Sequence, residues 1–522
     1  MLKKLHGRKL AVCLIGGAMY ALFSAFGWQA EHGGVIWAGG ALLVAALLAW
    51  PIAALLAVLL ERGYTRTLRR EKTFRAGRAF AFILACYVPM FCVAFPGSFA
   101  YDVPYQLRQV VTGAYSTHHP LLHTLALGGL LQLGRALGDI NLGAALYTAL
   151  QMALLAGCFA LTCGSIARQS GARAAKRAAV FFALYPLNMV MAVNATKDVL
   201  FGGFFALTLA LLNEIREKPS RGLALKIAAC GALAVMLRNN MAYAALVWLA
   251  ILTIGLRKGE KSAALAMLLA LAVGLCGNAA LKRATRAESG DMSEMLSWPI
   301  QQLARARLYD EDRLTDAEKE AIDELMPGEA WACYDPTISD PVKFEFDTQA
   351  FRADVKKYVG VWLSVGKKCA GTYLDATMAL TYPFFYPYRE YRVSGYYVQM
   401  GMSDAYDAGW CDFDPPESRS LFPRALASLS WRFGAKGAMQ IPVVGWLFNM
   451  GVIVWTMLFF ALREMYWGRW RRFGTALLPV LLWGTFLLGP VMAGRYIYPF
   501  VCALPVLAAR PGRSVKEAAR HG

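Results

Sequence analysis

The sequence predicts an all-α polytopic membrane protein with about twelve transmembrane helices and an external, mostly helical domain inserted before the last three spans. Of its 522 residues, 57% are hydrophobic and 17% are charged, whereas roughly 25% are charged in an average soluble domain. Apolar stretches of about 20 residues, enough to cross a bilayer as a helix, recur along the chain. Alternating patterns of the outer-membrane barrel kind are absent, which leaves helices as the spanning elements.

The predicted spans follow the apolar stretches in order. The first comes after basic residues and resembles a signal peptide, but a second span follows at once, so we interpret it as retained. The twelve spans are 10–27, 35–60, 78–96, 141–165, 178–194, 198–213, 223–237, 241–256, 262–281, 438–462, 474–489 and 492–510.

Loop charge predicts the orientation of these spans. Loops rich in Lys and Arg stay in the cytoplasm, and here the basic loops are 61–78, 166–177, 257–261 and 463–473. This places both termini in the cytoplasm. If the apolar stretch 120–137 were a span, the basic loop 166–177 would lie outside the cell. We therefore interpret 103–137 as an external loop with two helices that lie along the membrane surface.

Three regions follow from this topology. Residues 1–281 form an N-terminal membrane domain with a catalytic external loop at 97–140, residues 282–437 form an external soluble domain, and residues 438–522 form a three-span segment with a basic cytoplasmic tail. The segment 282–436 holds 24 of the 35 acidic and 19 of the 54 basic residues, a formal charge of −5. The basic remainder therefore indicates contact with anionic membrane lipids, and no nucleic-acid motif is present.

Asp102 is the strongest catalytic candidate. It follows the third span directly, and a carboxylate at a membrane surface is costly unless it is solvated, paired or functional. As a general base it would take a proton from an acceptor hydroxyl group. The alternative is a helix cap or an interfacial carboxylate.

Three histidines follow Asp102 in the same predicted loop. His118 and His119 are candidates for binding substrate, through hydrogen bonds within the loop or to a phosphate. His119 and His123 lie four residues apart and would share a helix face, so a divalent cation held with Asp102 is one alternative. We assign no metal ligand and no certain cofactor.

The remaining candidates for substrate binding lie at span ends on the same predicted face. Lys197 and Asp198 either mark a helix start or meet a phosphate. Arg238 and Asn239 form a polar group between two short spans, which is tolerated mainly where it lines a cavity. Arg495 and Tyr496 are interfacial anchors or, because guanidinium suits a phosphate diester, donor-binding residues.

Together these residues resemble the GT-C type of integral membrane glycosyltransferase. The match consists of Asp102, the run His119-Pro120-Leu121-Leu122, which is similar to that of the protein O-mannosyltransferase and aminoarabinose transferase enzymes, and Arg495-Tyr496 with Pro499. The chain departs from the pattern at Val103, where Glu is frequent, and at Leu121, where the second Pro stands. It is also similar to an uncharacterised bacterial multi-pass family, in the runs 196–201, 237–240 and 298–302.

The resemblance implies an enzyme that moves a sugar from a polyprenyl-phosphate donor to an extracytoplasmic glycan, lipid or protein, with Asp102 as general base. The alternative functions are a flippase or exporter, or a polymerase or ligase, of lipid-linked cell-surface glycans. Among the external cysteines Cys333, Cys369 and Cys411, one pair could form a disulfide.

Overall fold

The computed structural model of the chain describes Leu2 and residues 5–32, 39–62, 68–69, 73–100, 102–253, 258–387, 400–402, 415–434, 443–510 and 513–514. Within these residues the protein is helical, apart from one two-residue parallel pair of strands, β1 (Leu68–Arg69) and β2 (Arg513–Ser514).

The N-terminal half is a succession of helices. They are α1 (Gly7–Glu31), α2 (Gly39–Arg62), α3 (Ala76–Val93), α4 (Val103–Thr112), α5 (Leu121–Ala136), α6 (Ile140–Ser170), α7 (Ala172–Leu184), α8 (Pro186–Ala192), α9 (Lys197–Glu217), α10 (Arg221–Leu237), α11 (Asn240–Thr253) and α12 (Lys258–Thr285).

The C-terminal half begins with shorter helices and ends with longer apolar ones. They are α13 (Ser297–Tyr309), α14 (Asp316–Leu325), α15 (Asp340–Lys343), α16 (Thr348–Ala353), α17 (Val355–Lys368), α18 (Ala370–Thr381), α19 (Pro423–Gly434), α20 (Met450–Tyr466), α21 (Trp470–Leu487) and α22 (Tyr498–Ala508).

In the part of the chain that the structure describes, six helices are long and apolar enough to cross a membrane: α1, α2, α3, α6, α9 and α12. The chain is therefore a helical membrane protein. The count of twelve spans remains a prediction. Two predicted spans have different bounds in the structure. The span 178–194 is two helices that meet at Pro186. In the described part of the span 438–462, a 3-10 turn (Val444–Leu447) precedes α20, which Asn449 caps by accepting from the Val452 amide.

Helix α9 lies at the centre of the membrane-like core. Its most apolar stretch is 83% buried, whereas the corresponding stretches of α2 and α3 are 17% buried. Leucines such as Leu43, Leu47 and Leu55 on α2 are largely exposed. An apolar surface of this kind suits contact with lipid chains, so α9 is the scaffold and α2 and α3 are peripheral.

The segment after α12 has a hydrophobic cluster of its own, built from α13 to α18. Helix α14 begins at a complete capping box, which Thr315 and Glu318 form. Helices α17 and α18 follow each other directly and are separated at Cys369. Cys333 and Cys369 are both free thiols, and Cys411 lies outside the described residues.

The aromatic run after α18 lies inside the protein. Tyr382, Phe384 and Phe385 are buried in the main core. The Phe385 ring lies 4.9 Å from that of Phe23 on α1, and its carbonyl accepts a hydrogen bond from Trp455. This run therefore anchors the segment that follows α12 to the membrane-like core.

Charged side chains collect at both ends of α9. Lys197 and Asp198 begin the helix, while Glu214 near its other end binds Arg168, and Arg216 binds Glu260. A helix of 21 residues is about 30 Å long. Lys197 at one end of α9 is thus separated from Glu214 and Arg216 near the other end by roughly the thickness of a bilayer core.

Helices α5 and α6 cross closely because glycines face each other. A Cβ atom at Gly134 would lie 2.8 Å from the Asp139 carbonyl oxygen and closer still to the backbone of Gly143. Small residues at such crossings let helix backbones approach. This crossing supports the loop that carries Asp102, because α4 packs on α5.

We expect Gly134→Ala to destabilise the protein by about 1–3 kcal/mol, the usual cost of overpacking. Gly129→Ala is the matched control, since Gly129 lies on the same helix with open space at its Cβ position. Thermal unfolding in detergent measures both. Equal stability of the two variants would contradict close packing at this crossing.

Candidate functional site

Asp102 lies between α3 and α4, in a loop that is held in place by the residues just before α9. The Ser98 amide donates to the Val193 carbonyl, and the Ala195 amide donates back to the Ser98 carbonyl, each at 2.8 Å. The loop before α4 is thereby tied to the residues just before α9. This pairing brings Asp102 close to Lys197, which is 95 positions away in the sequence.

Asp102 occupies the N-cap position of α4 without acting as a cap. Among the described residues, its side chain accepts no hydrogen bond from the first turn of the helix. Its Oδ2 atom instead lies 2.7 Å from Lys197 Nζ, and its Oδ1 atom lies 3.1 Å from an Arg495 nitrogen. The helix-cap interpretation is therefore wrong, and the carboxylate belongs to a group of charges.

This ionic cluster comprises five side chains: Asp102, Lys197, Asp198, Arg238 and Arg495. Asp198 pairs with Arg238, and one of its oxygens lies 3.7 Å from Arg495 Nε. Side-chain exposure rises from 0% at Asp198 to 22% at Asp102. The cluster is thus closed on its Asp198 side and opens at Asp102.

Aromatic rings line the closed side of the cluster. The Arg238 guanidinium carbon lies 4.4 Å from the ring centres of both Phe486 and Tyr496. Arg495 lies 5.5 Å from the Tyr496 ring centre. Cation–π contacts at these distances are favourable and help to hold both guanidinium groups in place.

The electrostatics favour charged Asp102 and neutral His119. Burial alone would raise the pKa of the Asp102 carboxyl, but the positive charges of Arg495 and Lys197 outweigh it and hold that pKa well below its usual value. Burial lowers the pKa of His119 well below its usual value, against the pull of Asp102. With His119 neutral, three cations face two carboxylates, and the cluster carries a formal charge of +1.

The three histidines have three different surroundings. His119 is buried and lies 3.8 Å from Asp102 and 3.5 Å from Lys197. The His118 side chain is 44% exposed and lies 4.0 Å from Glu294. His123 turns away, with Gln106 at Nδ1 and Tyr147 at Nε2. The idea of a cation held by Asp102, His119 and His123 is therefore wrong, because both His123 nitrogens are occupied.

His123 belongs to a buried relay of hydrogen bonds, which we define as Gln106, His123, Tyr147 and Gln151. Gln151 Nε2 donates to the carbonyls of Ala192 and Asn194, at 3.0 and 2.8 Å. Its Oε1 atom must therefore accept, and Tyr147 donates to it at 3.0 Å.

The direction of every other bond in the relay follows from this one. Since Tyr147 has a single proton, its oxygen accepts from His123 Nε2–H at 2.8 Å. His123 Nδ1 then accepts from Gln106, at 3.0 Å. The relay joins α4, which begins beside Asp102, to the turn that precedes Lys197. It therefore helps to set the distance between these two charges.

We expect Tyr147→Phe to destabilise the protein by about 1–3 kcal/mol, because it leaves His123 Nε2–H and Gln151 Oε1 buried without a partner. Tyr309→Phe is the matched control, as Tyr309 is 63% exposed. Its loss should stay within about 0.5 kcal/mol. Chemical unfolding of the two variants measures the difference, and an unchanged Tyr147→Phe protein would contradict the relay.

The segment after α12 contacts the loops around the ionic cluster at three places. Backbone hydrogen bonds join residues 115–117 to Glu288, in the loop that carries His119. Near Asp102, the Phe99 amide and the Ser98 hydroxyl both donate to the Gly401 carbonyl. On the Arg495 side, the Ser339 amide donates to the Pro490 carbonyl at 2.9 Å. Loops from distant parts of the chain are thus held together over the cluster.

The run Trp298-Pro299-Ile300-Gln301-Gln302 supports the Arg495 side. Trp298 donates to the Leu487 carbonyl at the end of α21, at 2.7 Å. Gln301 donates to the carbonyls of Asp335 and Ile338, and Ile338 pairs with Val491. The run therefore positions the turn from which Arg495 projects.

Seven of the nine predicted site residues are brought together: Asp102, His119, Lys197, Asp198, Arg238, Arg495 and Tyr496. Asn239 is exposed on the turn before α11, and His118 lies at the edge. Sequence reasoning missed the relay and the roles of Trp298 and Gln301. A glutamine within an apolar span, as at Gln151, was a usable signal because buried amides are paired.

A metal site has no support in the described part of the chain. No group of three or more His, Cys, Asp or Glu side chains there could hold a metal ion. The cations of the ionic cluster are also the wrong surroundings for a metal ion, since they would repel it. The arrangement suits an anion.

Comparison with known families was made on this basis. The chain matches, over residues 111–521, the family described as a family of unknown function, DUF6020. The chain belongs to the DUF6020 family. Within DUF6020 the matched region covers Lys197, Asp198, Arg238 and Arg495, and it begins nine residues after Asp102. No curated protein and no solved structure was found to match the chain.

Proposed function

We propose that this protein is a GT-C type membrane glycosyltransferase that transfers a sugar from a polyprenyl-phosphate donor to an extracytoplasmic acceptor, with Asp102 as general base. One observation carries the proposal: a partly exposed carboxylate and three cations occupy a single cluster at one end of the apolar scaffold. A base and an anion-binding group side by side are what transfer from a phosphate diester to a hydroxyl group requires.

The cations would bind the phosphate of the donor. Arg495 and Arg238 offer planar forks that match phosphate oxygens, and Lys197 offers a compact charge. In this arrangement the polyprenyl tail lies between the helices, in contact with lipid. The cluster's formal charge of +1 suits the single negative charge of a phosphate diester.

Asp102 would act on the acceptor. As the acceptor oxygen forms its bond to the sugar carbon, the bond from that carbon to the phosphate oxygen breaks, and the electron pair leaves with polyprenyl phosphate. The acceptor proton passes to Asp102. Attack from the face opposite the leaving group inverts the sugar carbon.

The cations would also stabilise the transition state. Negative charge grows on the phosphate as the sugar leaves, and fixed cations in a water-poor site stabilise such charge strongly. Lys197 and the two arginines are already held by neighbouring carboxylates and rings, so little reorganisation is required during the reaction.

The proposed topology has twelve spans with both termini in the cytoplasm of a bacterial cell, as the basic loops suggest. Residues 282–437 and the ionic cluster then lie outside the plasma membrane. Nucleotide sugars are not available there, which is why the donor is lipid-linked. The acceptor is a glycan, a lipid or a protein of the cell envelope.

We expect Asp102→Asn to reduce transfer by about 10²–10⁴-fold, the usual contribution of a general base. A strain that lacks the gene is complemented with each variant, and its envelope glycans are profiled by mass spectrometry. Asp139→Asn is the control, because Asp139 is 40% exposed and caps α6, a role that asparagine also fills.

Full restoration of the glycans by Asp102→Asn would contradict the proposal. It would favour a flippase or exporter, or a polymerase or ligase of lipid-linked glycans, whose activity does not need this base. Restoration by Asp139→Asn alone is the expected result.

A further inference from the structure

Asp102 already engages the cations that are proposed to bind the donor. Its Oδ2 atom lies 2.7 Å from Lys197, and its Oδ1 atom lies 3.1 Å from Arg495. The same carboxylate oxygens would have to meet an acceptor hydroxyl if Asp102 is the base. The proposed base and the proposed phosphate site are therefore paired with each other.

Lys197 and Arg495 cannot bind the Asp102 carboxylate and a donor phosphate equally well at the same time. Asp198 forms an ion pair with Arg238 and also lies 3.7 Å from Arg495. It therefore reduces the charge and the hydrogen bonds that those guanidinium groups can give to a phosphate. Lys197 is shared between Asp102 and His119. A phosphate that enters the ionic cluster must take hydrogen bonds from Lys197 and Arg495, which now bind Asp102. These charges are largely buried, so few water molecules can replace the lost hydrogen bonds.

We propose that the donor phosphate competes with Asp102 for Lys197 and Arg495, and that donor binding thereby releases the carboxylate to act as base. The inference rests on the proposed function and specifies its order. The donor binds first, and the acceptor is activated only afterwards. A protein without donor keeps its base neutralised by ion pairs.

The position of Asp102 supports this exchange. Its side chain is 22% exposed, against 14% for Lys197 and 11% for Arg495, so it lies on the open side of the cations. Asp102 also directly precedes α4 and makes no side-chain cap hydrogen bond to it, so rotation of its own side chain moves the carboxylate without moving the tied loop or the helix. Asp198 is fully buried and stays with Arg238.

The test is the affinity of the purified full-length protein for polyprenyl phosphate without a sugar. Asp102→Asn removes the competing charge, so we expect its Kd to fall by roughly three- to tenfold, the size of a partly exposed ion pair. Arg495→Gln should weaken binding, and Asp139→Asn should leave it unchanged. Polyprenol and inorganic phosphate, measured in parallel, distinguish binding of the lipid chain from binding of a free anion.

A second measurement uses the wild-type protein, in case Asp102→Asn does not fold. Isotope-edited infrared difference spectra with labelled aspartate should show a shifted carboxylate band when polyprenyl phosphate binds, as Asp102 loses its partners. Asp139→Asn should show the same shift. An unchanged band in the wild-type protein would overturn the exchange.

The failures of the two proposals are distinguishable. Unchanged or weaker binding by folded Asp102→Asn, with transfer lost, overturns the competition and leaves the transferase standing. Wild-type protein that does not bind polyprenyl phosphate, together with glycans restored by Asp102→Asn, overturns both.

Discussion

The placement of charge in an apolar protein is the constraint from which the rest of this structure follows. Three cations and two carboxylates lie within a helical scaffold, and such charges are costly unless they pair and hydrogen-bond. Asp198, fully buried, holds Arg238 and faces Arg495. Asp102 completes the group on the open side. The surplus of one positive charge makes the cluster receptive to an anion.

Structural elements far apart in the sequence maintain this cluster. The buried relay through His123 and Tyr147 sets α4 against the turn before α9. The segment after α12 holds the Arg495 loop through Trp298 and Ser339. The membrane scaffold and the segment after α12 therefore both help to keep Asp102 and the cations at hydrogen-bond distance. Loss of either support would move these charges apart.

The sequence predicted the helical class, the polar span ends and most members of the cluster. Composition and loop charge suffice for these because crossing a bilayer imposes length and apolarity on each helix. The pairing of Asp102 with Lys197 and Arg495 was not predictable, as it joins residues 95 and 393 positions apart. The hydrogen-bond relay and the burial of Tyr382 to Phe385 were also not predicted from the sequence, because both depend on tertiary packing. The short-range capping box at Thr315 was predictable because it involves four successive residues.

The cluster explains why one residue can be both catalytic candidate and structural ion-pair partner. The proposed function depends most on the claim that polyprenyl phosphate binds at the Asp102 end of the helices. A cryo-electron microscopy structure of the full chain with bound polyprenyl phosphate tests this most directly. The account predicts phosphate density in contact with Lys197 and Arg495, with the Asp102 carboxylate displaced from both. Phosphate density at the opposite end of α9, beside Arg216, would contradict it.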